Sequence, residues 1–383
     1  MNAIWTRRSF VSAAAATLAS TQLPAMNQPA SQFVYIGSTD NKDNGQGVHA
    51  AIWNQENRTL SDLRLVASIR SAGFLAIGKL SNLKVLYAGH QAAPKVGALS
   101  SYVIEPSGDL TLVNTVTTPD FDMVHLAVDH SNRCIVAASY GSGKVLSAKI
   151  APDGKLSNPV SLIQLSGHGP NDSRQKTSHA HGVAISPDNR FVLINDLGTD
   201  RIMVYNLNEA TAELTANDPA FFTAAPGSGP RHTTFHPSGK WAYSINELDS
   251  TITQMNWEAA KGILTLVATT PTLPPGGDVA NNRAGEIVID KSGRFLYACN
   301  RGAVEELLVY SIGGDGHLNL QSRVLFGGKE ARHFAISPDG DSLLLAEQFS
   351  DKVSIFSRDP DTGLLKITPS RYDVTNASCI IFA

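Results

Sequence analysis

Two sets of polar residues recur at fixed places along this sequence, and their side chains suit acid–base and ionic chemistry. The first set is found by counting twelve positions on from the last apolar residue before a turn. This count reaches Tyr140, Leu197, Glu247, Arg301 and Gln348. The residues Asp196, Asn300 and Glu347 directly precede three of them. A second set of polar residues stands at the beginnings of the apolar runs: His125, His179, His181, Arg231, His232, Glu286, Arg332 and His333. Imidazole exchanges protons near neutral pH, and guanidinium groups bind carboxylate or phosphate. Together these groups could activate water and hold an anionic molecule.

The fixed spacing exists because the chain repeats a unit of about fifty residues. Residues 331–356 read as an apolar pair, a Pro-Asp-Gly turn, a second apolar run, a polar loop and an alternating third run. This pattern predicts three short antiparallel strands. Further copies occupy residues 125–150, 181–205, 231–255 and 286–310. Four-stranded units at this spacing are typical of propeller blades, so we predict an all-β fold of the β-propeller class.

Seven blades are predicted from their second strands, which lie near Val34, Val85, Ile135, Val192, Ala242, Leu296 and Leu344. The first blade lacks a strand before residues 33–36, and an isolated apolar run occupies residues 379–382. We expect this C-terminal strand to complete the first blade and close the ring, which removes exposed sheet edges. Because blades bury their faces only against neighbours, residues 26–383 are expected to form one domain.

Both polar sets are predicted to face one mouth of the propeller, because the first strand of each blade lines the central channel. The candidate catalytic residues are His181, Arg231, Glu247 and Arg301. The candidate substrate-binding residues are His125, Tyr140, His179, His232, Glu286, Asn300, His333 and Gln348. Alternatively, His125, His232 and His333 only bond to neighbouring backbone carbonyl groups. Arg332 and Glu347 are expected to form structural ion pairs.

Other kinds of site find less support in the sequence. His179-Ala180-His181 places two imidazoles on one strand face, as a metal site would, but no third ligand is marked. We therefore expect neither a metal nor another cofactor. No G-x-S-x-G motif, P-loop or helix-linked G-x-G-x-x-G motif is present. Two long loops, residues 166–178 and 271–284, could be functional elements or simple insertions.

The first residues predict export. Thr6-Arg7-Arg8-Ser9-Phe10-Val11 precedes a weakly apolar, alanine-rich run and the small-residue sequence Leu23-Pro24-Ala25. This arrangement is typical of a twin-arginine signal peptide, predicted here over residues 1–25. The export machinery is thus an expected partner, and the protein is expected in the periplasm or outside the cell.

Composition excludes some partners. The net charge of −3 gives no basic excess for nucleic acid, so no such partner is expected. The apolar run of the signal is too short to span a bilayer, and no other segment could do so. We expect a monomer that makes no membrane contact after signal cleavage. The three cysteines, Cys134, Cys299 and Cys379, lie in apolar runs and are expected to be buried free thiols.

Several long phrases carry a family resemblance: SHAHGVAISPDNRFVLINDLGTDRIMVYNL, GSGPRHTTFHPSGKWAYSINELDS, FLYACNRG and ARHFAISPDG. They resemble the seven-bladed propeller lactonase family, which includes propeller-type 6-phosphogluconolactonases and is similar to the fungal 3-carboxy-cis,cis-muconate lactonizing enzyme. The resemblance covers residues 33–382. It implies a catalytic histidine at His181 or His179, arginines at Arg231 and Arg301, and a glutamate at Glu247. The sequence departs from the family at Gly89-His90-Gln91 and His130-Ser131-Asn132.

The resemblance implies a lactone hydrolase that acts on a small sugar-type or anionic lactone. His181 would activate water, Arg231 and Arg301 would hold an anionic group and polarise the carbonyl, and Glu247 would orient Arg231 or relay a proton. An exported enzyme would meet an unphosphorylated lactone rather than a cytosolic sugar phosphate. Two alternatives remain open: a non-catalytic binding propeller and a lactone-forming cycloisomerase.

Overall fold

Seven four-stranded antiparallel sheets make up the part of the chain that the computed structural model describes, residues 32–39 and 47–383. The predicted seven-bladed β-propeller is therefore confirmed. The predicted signal, residues 1–25, lies outside the described residues. Within them, the one helical segment is the 3-10 turn Gln348–Ser350, and no helix is long and apolar enough to cross a membrane.

The strands are numbered in chain order and the blades I to VII. Blade I contains β1 (Gln32–Ser38), β2 (Gly47–Asn54) and β3 (Thr59–Ser68) together with the last strand, β28 (Ala377–Phe382). Blade II contains β4 (Arg70–Leu80), β5 (Leu83–Ala93), β6 (Val96–Ile104) and β7 (Leu110–Pro119). Blade III contains β8 (Met123–Val128), β9 (Cys134–Ser139), β10 (Lys144–Lys149) and β11 (Ser161–Gln164).

The other four blades follow the same order from the innermost to the outermost strand. Blade IV contains β12 (Ala180–Ile185), β13 (Phe191–Asp196), β14 (Arg201–Asn208) and β15 (Glu213–Thr223). Blade V contains β16 (Pro230–Phe235), β17 (Trp241–Asn246), β18 (Thr251–Glu258) and β19 (Ile263–Pro271). Blade VI contains β20 (Asn282–Ile289), β21 (Phe295–Gly302), β22 (Glu306–Ile312) and β23 (Leu318–Leu325). Blade VII contains β24 (Ala331–Ile336), β25 (Ser342–Glu347), β26 (Lys352–Arg358) and β27 (Leu365–Asp373).

The C-terminal strand closes the ring, as predicted. Strand β28 pairs antiparallel with β1, from Val34 opposite Phe382 to Ser38 opposite Ala377. It thus supplies the innermost strand that blade I otherwise lacks. Because the first and last strands share one sheet, the inner edge of that sheet is covered in the same way as in the other blades.

Apolar side chains fill the space between neighbouring sheets. Val34 and Ile36 of β1, for example, pack against Leu344 and Val353 of blade VII. Each sheet is therefore buried on both faces near the channel, and the second strands β9, β13 and β25 are buried at every residue. The three cysteines are buried free thiols, as predicted.

A register shift recurs at one end of every innermost strand, where it pairs with its neighbour. In blade V, for example, Pro230 faces Asn246 and His232 faces Ile245, so that Arg231 has no residue opposite it. Such β-bulges re-aim side chains. We call these inserted positions the bulge residues: Val124, His181, Arg231, Gly285, Arg332 and Ser378, with residues 71–73 in blade II.

Candidate active site

Three of the bulge residues, Val124, His181 and Arg332, line a cavity of about 600 Å³, which we call the mouth cavity. Its charged lining consists of Asp122, Arg174, Glu247, Arg283, Arg301, Glu330 and Arg332. The remaining lining residues are Val124, Tyr140, His181, Gln348 and Phe349. Residues that are far apart in sequence are therefore brought together, as the spacing of the polar residues predicts.

Glu247 is the centre of the ionic contacts at the mouth cavity. Its Oε2 accepts a hydrogen bond from Arg301 Nη2 at 2.8 Å and lies 3.3 Å from Arg231 Nε. Its Oε1 accepts a bond from Arg174 Nη2 at 2.7 Å. Burial alone would raise the pKa of Glu247, but Arg301, Arg231 and Arg174 lower it to about 2. Glu247 is therefore a fixed negative charge at neutral pH and a poor proton acceptor.

A second carboxylate completes the pairing of Arg301. Arg301 Nη1 donates to Glu330 Oε1, and the other oxygen of Glu330 accepts a bond from Arg283 Nη2 at 2.8 Å. Two buried carboxylates on either side hold the guanidinium plane of Arg301 in one orientation. Arg301 nevertheless lines the mouth cavity, and its Nε atom is buried.

His181 lies beside this cluster, with its Nε2 atom 3.9 Å from Glu247 Oε2. Its ring packs edge-on against Tyr140 and His232, with ring centroids 5.6 and 5.1 Å away. Burial, followed by the positive charge of Arg231, lowers the pKa of His181 well below 6.5. The imidazole is therefore neutral at neutral pH and can accept a proton.

Arg231 is buried beneath the mouth cavity rather than lining it. Its Nη1 atom donates to the carbonyl oxygen of Gly285 at 2.8 Å, and its Nε atom faces Glu247. A side chain at Gly285 would not fit, because a Cβ there would lie 2.6 Å from Cys299 Sγ and 3.0 Å from the Ala331 oxygen. Glycine is therefore required at this bulge by the close approach of Cys299 and of the Ala331 backbone.

Deeper in the channel, a lower layer contains four ring side chains and one carboxylate. Its members are Phe74, His125, His232, Glu286 and His333, which contact one another through ring packing, a hydrogen bond or an ion pair. His232 Nδ1 donates to Glu286 Oε1 at 3.0 Å. Burial and Arg231 lower the pKa of His232 to about 4. The predicted substrate-binding residues His125, His232, Glu286 and His333 therefore lie below the mouth cavity, and none of them lines it.

His125 and His333 bond to backbone amides rather than to the carbonyl groups that the alternative interpretation expected. His125 Nδ1 accepts from the Val183 amide at 3.3 Å, and His333 Nδ1 accepts from the Ile380 amide at 3.2 Å. Both ring nitrogens contact the adjacent blade. The alternative interpretation was correct that His125 and His333 have backbone partners but wrong about their chemical type, and His232 bonds to the Glu286 side chain instead.

Tyr140 and His179 form the wall beside His181. The two rings stack with centroids 4.4 Å apart, and His179 Nδ1 donates to the Tyr140 carbonyl oxygen at 2.8 Å. The Tyr140 hydroxyl accepts a bond from Arg174 at 2.9 Å. No group of three or more His, Cys, Asp or Glu residues among residues 32–39 and 47–383 is arranged to hold a metal.

Asn300 lies away from the mouth cavity, although it was a candidate for substrate binding. It is fully buried, and its amide contacts Thr272, Asn282 and Glu306. Successive strand residues point to opposite faces, so Arg301 faces the cavity while Asn300 faces the blade interior. The twelve-residue count itself thus reaches a cavity residue, Arg301, whereas the neighbouring Asn300 was assigned to the cavity wrongly.

Glu347 is structural, as predicted, but its partner is not Arg332. Glu347 accepts bonds from Ser354 and from Arg371 of the outer strand β27. Gln348, the next residue, lines the mouth cavity and donates to Thr39 at 2.6 Å. The expected structural pairing of Arg332 is thus wrong, and this side chain partly faces the cavity.

Four charged residues of the site were missed by the sequence reasoning: Asp122, Arg174, Arg283 and Glu330. Arg174 belongs to the long loop at residues 166–178, and Arg283 lies at the end of the second long loop, residues 271–284. The length of these loops was the available signal. Glu330 directly precedes the bulge of β24, and its position within the repeat could have indicated it.

Comparisons with known proteins agree with the fold. The family described as "Lactonase, 7-bladed beta-propeller" matches residues 33–382. The chain is 31% identical over 353 residues to a 6-phosphogluconolactonase of Bacillus subtilis, covering 91% of this chain and 97% of that protein. A 6-phosphogluconolactonase of Formosa agariphila is 30% identical, with coverage of 91% and 98%. The structure of a periplasmic gluconolactonase of Pseudomonas aeruginosa superposes with a TM-score of 0.85 at 28% identity, covering 92% and 99%.

Proposed function

This chain belongs to the seven-bladed β-propeller lactonase family, and we propose that it hydrolyses a small lactone in the mouth cavity. The observation that carries the proposal is the position of His181, neutral and cavity-lining, 3.9 Å from a carboxylate that Arg301 holds in place. Ester hydrolysis requires a base for water, a donor for the developing oxyanion and a proton for the leaving alkoxide.

In the first step, His181 Nε2 accepts a proton from water as the water oxygen attacks the lactone carbonyl carbon. The permanent charge of Glu247 stabilises the imidazolium that forms, because it lies 3.9 Å from the same nitrogen. Arg301 and Arg174, both lining the cavity, donate hydrogen bonds to the carbonyl oxygen as it becomes negative. The resulting intermediate is a tetrahedral alkoxide.

In the second step, the tetrahedral intermediate collapses and the ring C–O bond breaks. The His181 imidazolium returns its proton to the departing ring oxygen, which gives one hydroxy acid and the neutral histidine again. Arg231 does not need to touch the substrate in this sequence. Because its Nε atom faces Glu247 Oε2 at 3.3 Å, it acts as a positioning residue for the carboxylate.

The mature chain is expected to release acid from glucono-δ-lactone faster than the spontaneous background. The measurement is a pH-indicator assay with the purified protein in weak buffer, repeated over a panel of small lactones. Absence of acid release over the whole panel would favour a non-catalytic binding propeller. A change in ultraviolet absorbance with a muconate, without net acid release, would indicate a lactone-forming cycloisomerase instead.

The proposed location is the periplasm or the cell exterior, reached through the twin-arginine signal at residues 1–25. The sequence Thr6-Arg7-Arg8-Ser9-Phe10-Val11 supports it, and the P. aeruginosa structural relative is described as periplasmic. In that compartment, we propose an unphosphorylated lactone as the substrate.

Replacing both Arg7 and Arg8 with lysine is expected to abolish export, because the paired guanidinium groups identify twin-arginine signals. The measurement is the periplasmic fraction of the full chain in a bacterial host, detected by immunoblot. A chain without residues 1–25 serves as the matched cytosolic control. Undiminished periplasmic protein in the double variant would contradict this route.

A further inference from the structure

Arg332 differs from the other arginines at the mouth cavity. The guanidinium groups of Arg174, Arg231, Arg283 and Arg301 each have a carboxylate oxygen within 3.3 Å. Arg332 makes no ion pair with any residue in the ranges 32–39 and 47–383. It is therefore the one mouth arginine, within these ranges, whose charge the protein itself does not pair.

The carboxylates nearest to Arg332 in the chain are already occupied. Glu330, two residues earlier, binds Arg301 and Arg283. Glu347 faces Ala331 across the strand pair, and it binds Arg371 and Ser354. Arg332 is thus placed beside two acidic residues without being partnered by either.

The surroundings of Arg332 are electrically unfavourable for a cation. Burial in the cavity wall, followed by the positive charges of Arg231 and Arg301, lowers the pKa of its guanidinium to about 9. Together, the mouth holds five arginines against the carboxylates of Asp122, Glu247 and Glu330. Glu247 and Glu330 oppose this lowering of the pKa without reversing it, so a bound anion would stabilise the cation further.

The position of Arg332 also gives a ligand access to it. As the bulge residue of β24, it has no partner across the ladder, and it lines the mouth cavity opposite the bulge residue His181 of β12. It also lines an adjoining cavity with Gln348 and Thr39. A substituent of a lactone held at His181 could therefore extend toward Arg332.

We propose that Arg332 binds an oxyanion carried by the lactone substrate, and so selects anionic lactones over neutral ones. For the unphosphorylated substrate proposed above, this oxyanion is a carboxylate, and a phosphate is the alternative that the test distinguishes. This inference rests on the proposed lactonase function and names the substrate class for the same site. The planar guanidinium suits both oxyanions, since it donates two parallel hydrogen bonds. Under this proposal, Arg332 takes the anion-holding role that the sequence analysis assigned to Arg231 and Arg301, both of which contact Glu247.

The test compares Arg332→Gln with Arg133→Gln, which removes the same charge from an exposed pair remote from the mouth. Steady-state kinetics are measured with neutral glucono-δ-lactone, with D-glucaro-1,4-lactone, which carries a carboxylate, and with 6-phosphoglucono-δ-lactone. We expect Arg332→Gln to lower the anionic-to-neutral ratio of kcat/KM roughly 10- to 100-fold, the range for a lost charge-assisted hydrogen bond. The anionic lactone with the larger change identifies the oxyanion. Arg133→Gln should leave the ratio unchanged.

Inorganic phosphate provides a readout that does not depend on catalysis. It should raise the Tm of the wild-type protein and of Arg133→Gln, but not that of Arg332→Gln. Without ligand, Arg332→Gln should have a Tm equal to or above that of the wild type, because an unpaired cation has been removed. A lowered Tm with unchanged phosphate binding and unchanged specificity would assign Arg332 a structural role and overturn the proposal.

The two proposals fail in distinguishable ways. If the wild type hydrolyses no lactone but loses its phosphate response in Arg332→Gln, the lactonase function fails and the anion site stands. If the wild type is an active lactonase and Arg332→Gln changes neither the specificity ratio nor the phosphate response, the anion site fails and the lactonase function stands.

Discussion

Replacement of His181 with glutamine is expected to lower kcat for lactone hydrolysis by roughly 10²- to 10⁴-fold, the usual contribution of a general acid–base group. Glutamine keeps a polar side chain of similar length but cannot take up and return a proton. KM should change little, because the arginines at the mouth remain in place. The measurement is steady-state kinetics of the purified variant, with the exposed His317→Gln as a matched control.

The pH profile gives an independent check on His181. Burial and Arg231 lower its pKa well below 6.5, and the reactive form is the neutral imidazole. Since kcat/KM reports the free enzyme, activity should be maintained through pH 6.5 and should fall only as the pH drops through the lowered value. An acid limb centred at or above 6.5 would contradict the assignment of His181 as the base.

Replacement of Glu247 with glutamine is expected to have the largest effect on stability, a loss of about 3–5 kcal/mol in the free energy of unfolding. The change leaves Arg231 and Arg301, which are each 2% exposed, without their shared carboxylate. Activity should fall as well, because the imidazolium of His181 would lose its counter-charge. The measurement is chemical denaturation followed by circular dichroism, together with lactone kinetics.

A matched exposed pair provides the control for Glu247. Glu258 pairs with Lys261 at 2.8 Å, and both side chains are about half exposed or more. Glu258→Gln should cost at most about 0.5 kcal/mol, because water screens the pair. Equal stability losses in the two variants would show that the ionic cluster at the mouth is not a stabilising element.

Acid should weaken this cluster in a defined direction. The pKa of Glu247 is lowered from 4.5 to about 2, so its contribution to stability is fully present above about pH 4.5. That contribution should be lost as the pH falls toward 2. The part of the acid unfolding transition due to Glu247 is therefore expected to disappear in Glu247→Gln.

The repeat pattern was sufficient to predict the blade number, the ring closure and the end of the channel where polar groups gather. It succeeded because strand register is local: a fixed count from an apolar residue reaches the same place in each blade. Four residues at that count, Tyr140, Glu247, Arg301 and Gln348, line the mouth cavity. The fifth, Leu197, is buried.

The remaining features depend on contacts that the repeat does not encode. Arg174 reaches Glu247 from a loop outside the strand pattern, and the path of such a loop is set by tertiary contacts. Glu347 binds Arg371 of the outer strand β27, a contact between strands that the repeat does not indicate. The error at Asn300 arose because side chains alternate along β21, so that a single residue step reverses the direction.

The register shift shared by all seven innermost strands has a consequence for how relatives with this fold could diversify. An inserted residue has no cross-strand partner, so exchanging its side chain leaves the ladder hydrogen bonds in place. In this chain, these places carry an imidazole in blade IV, guanidinium groups in blades V and VII and no side chain in blade VI, where a Cβ would not fit. Selectivity for new compounds could thus be acquired through single substitutions at the inserted positions that line the cavity, without a change in strand pairing.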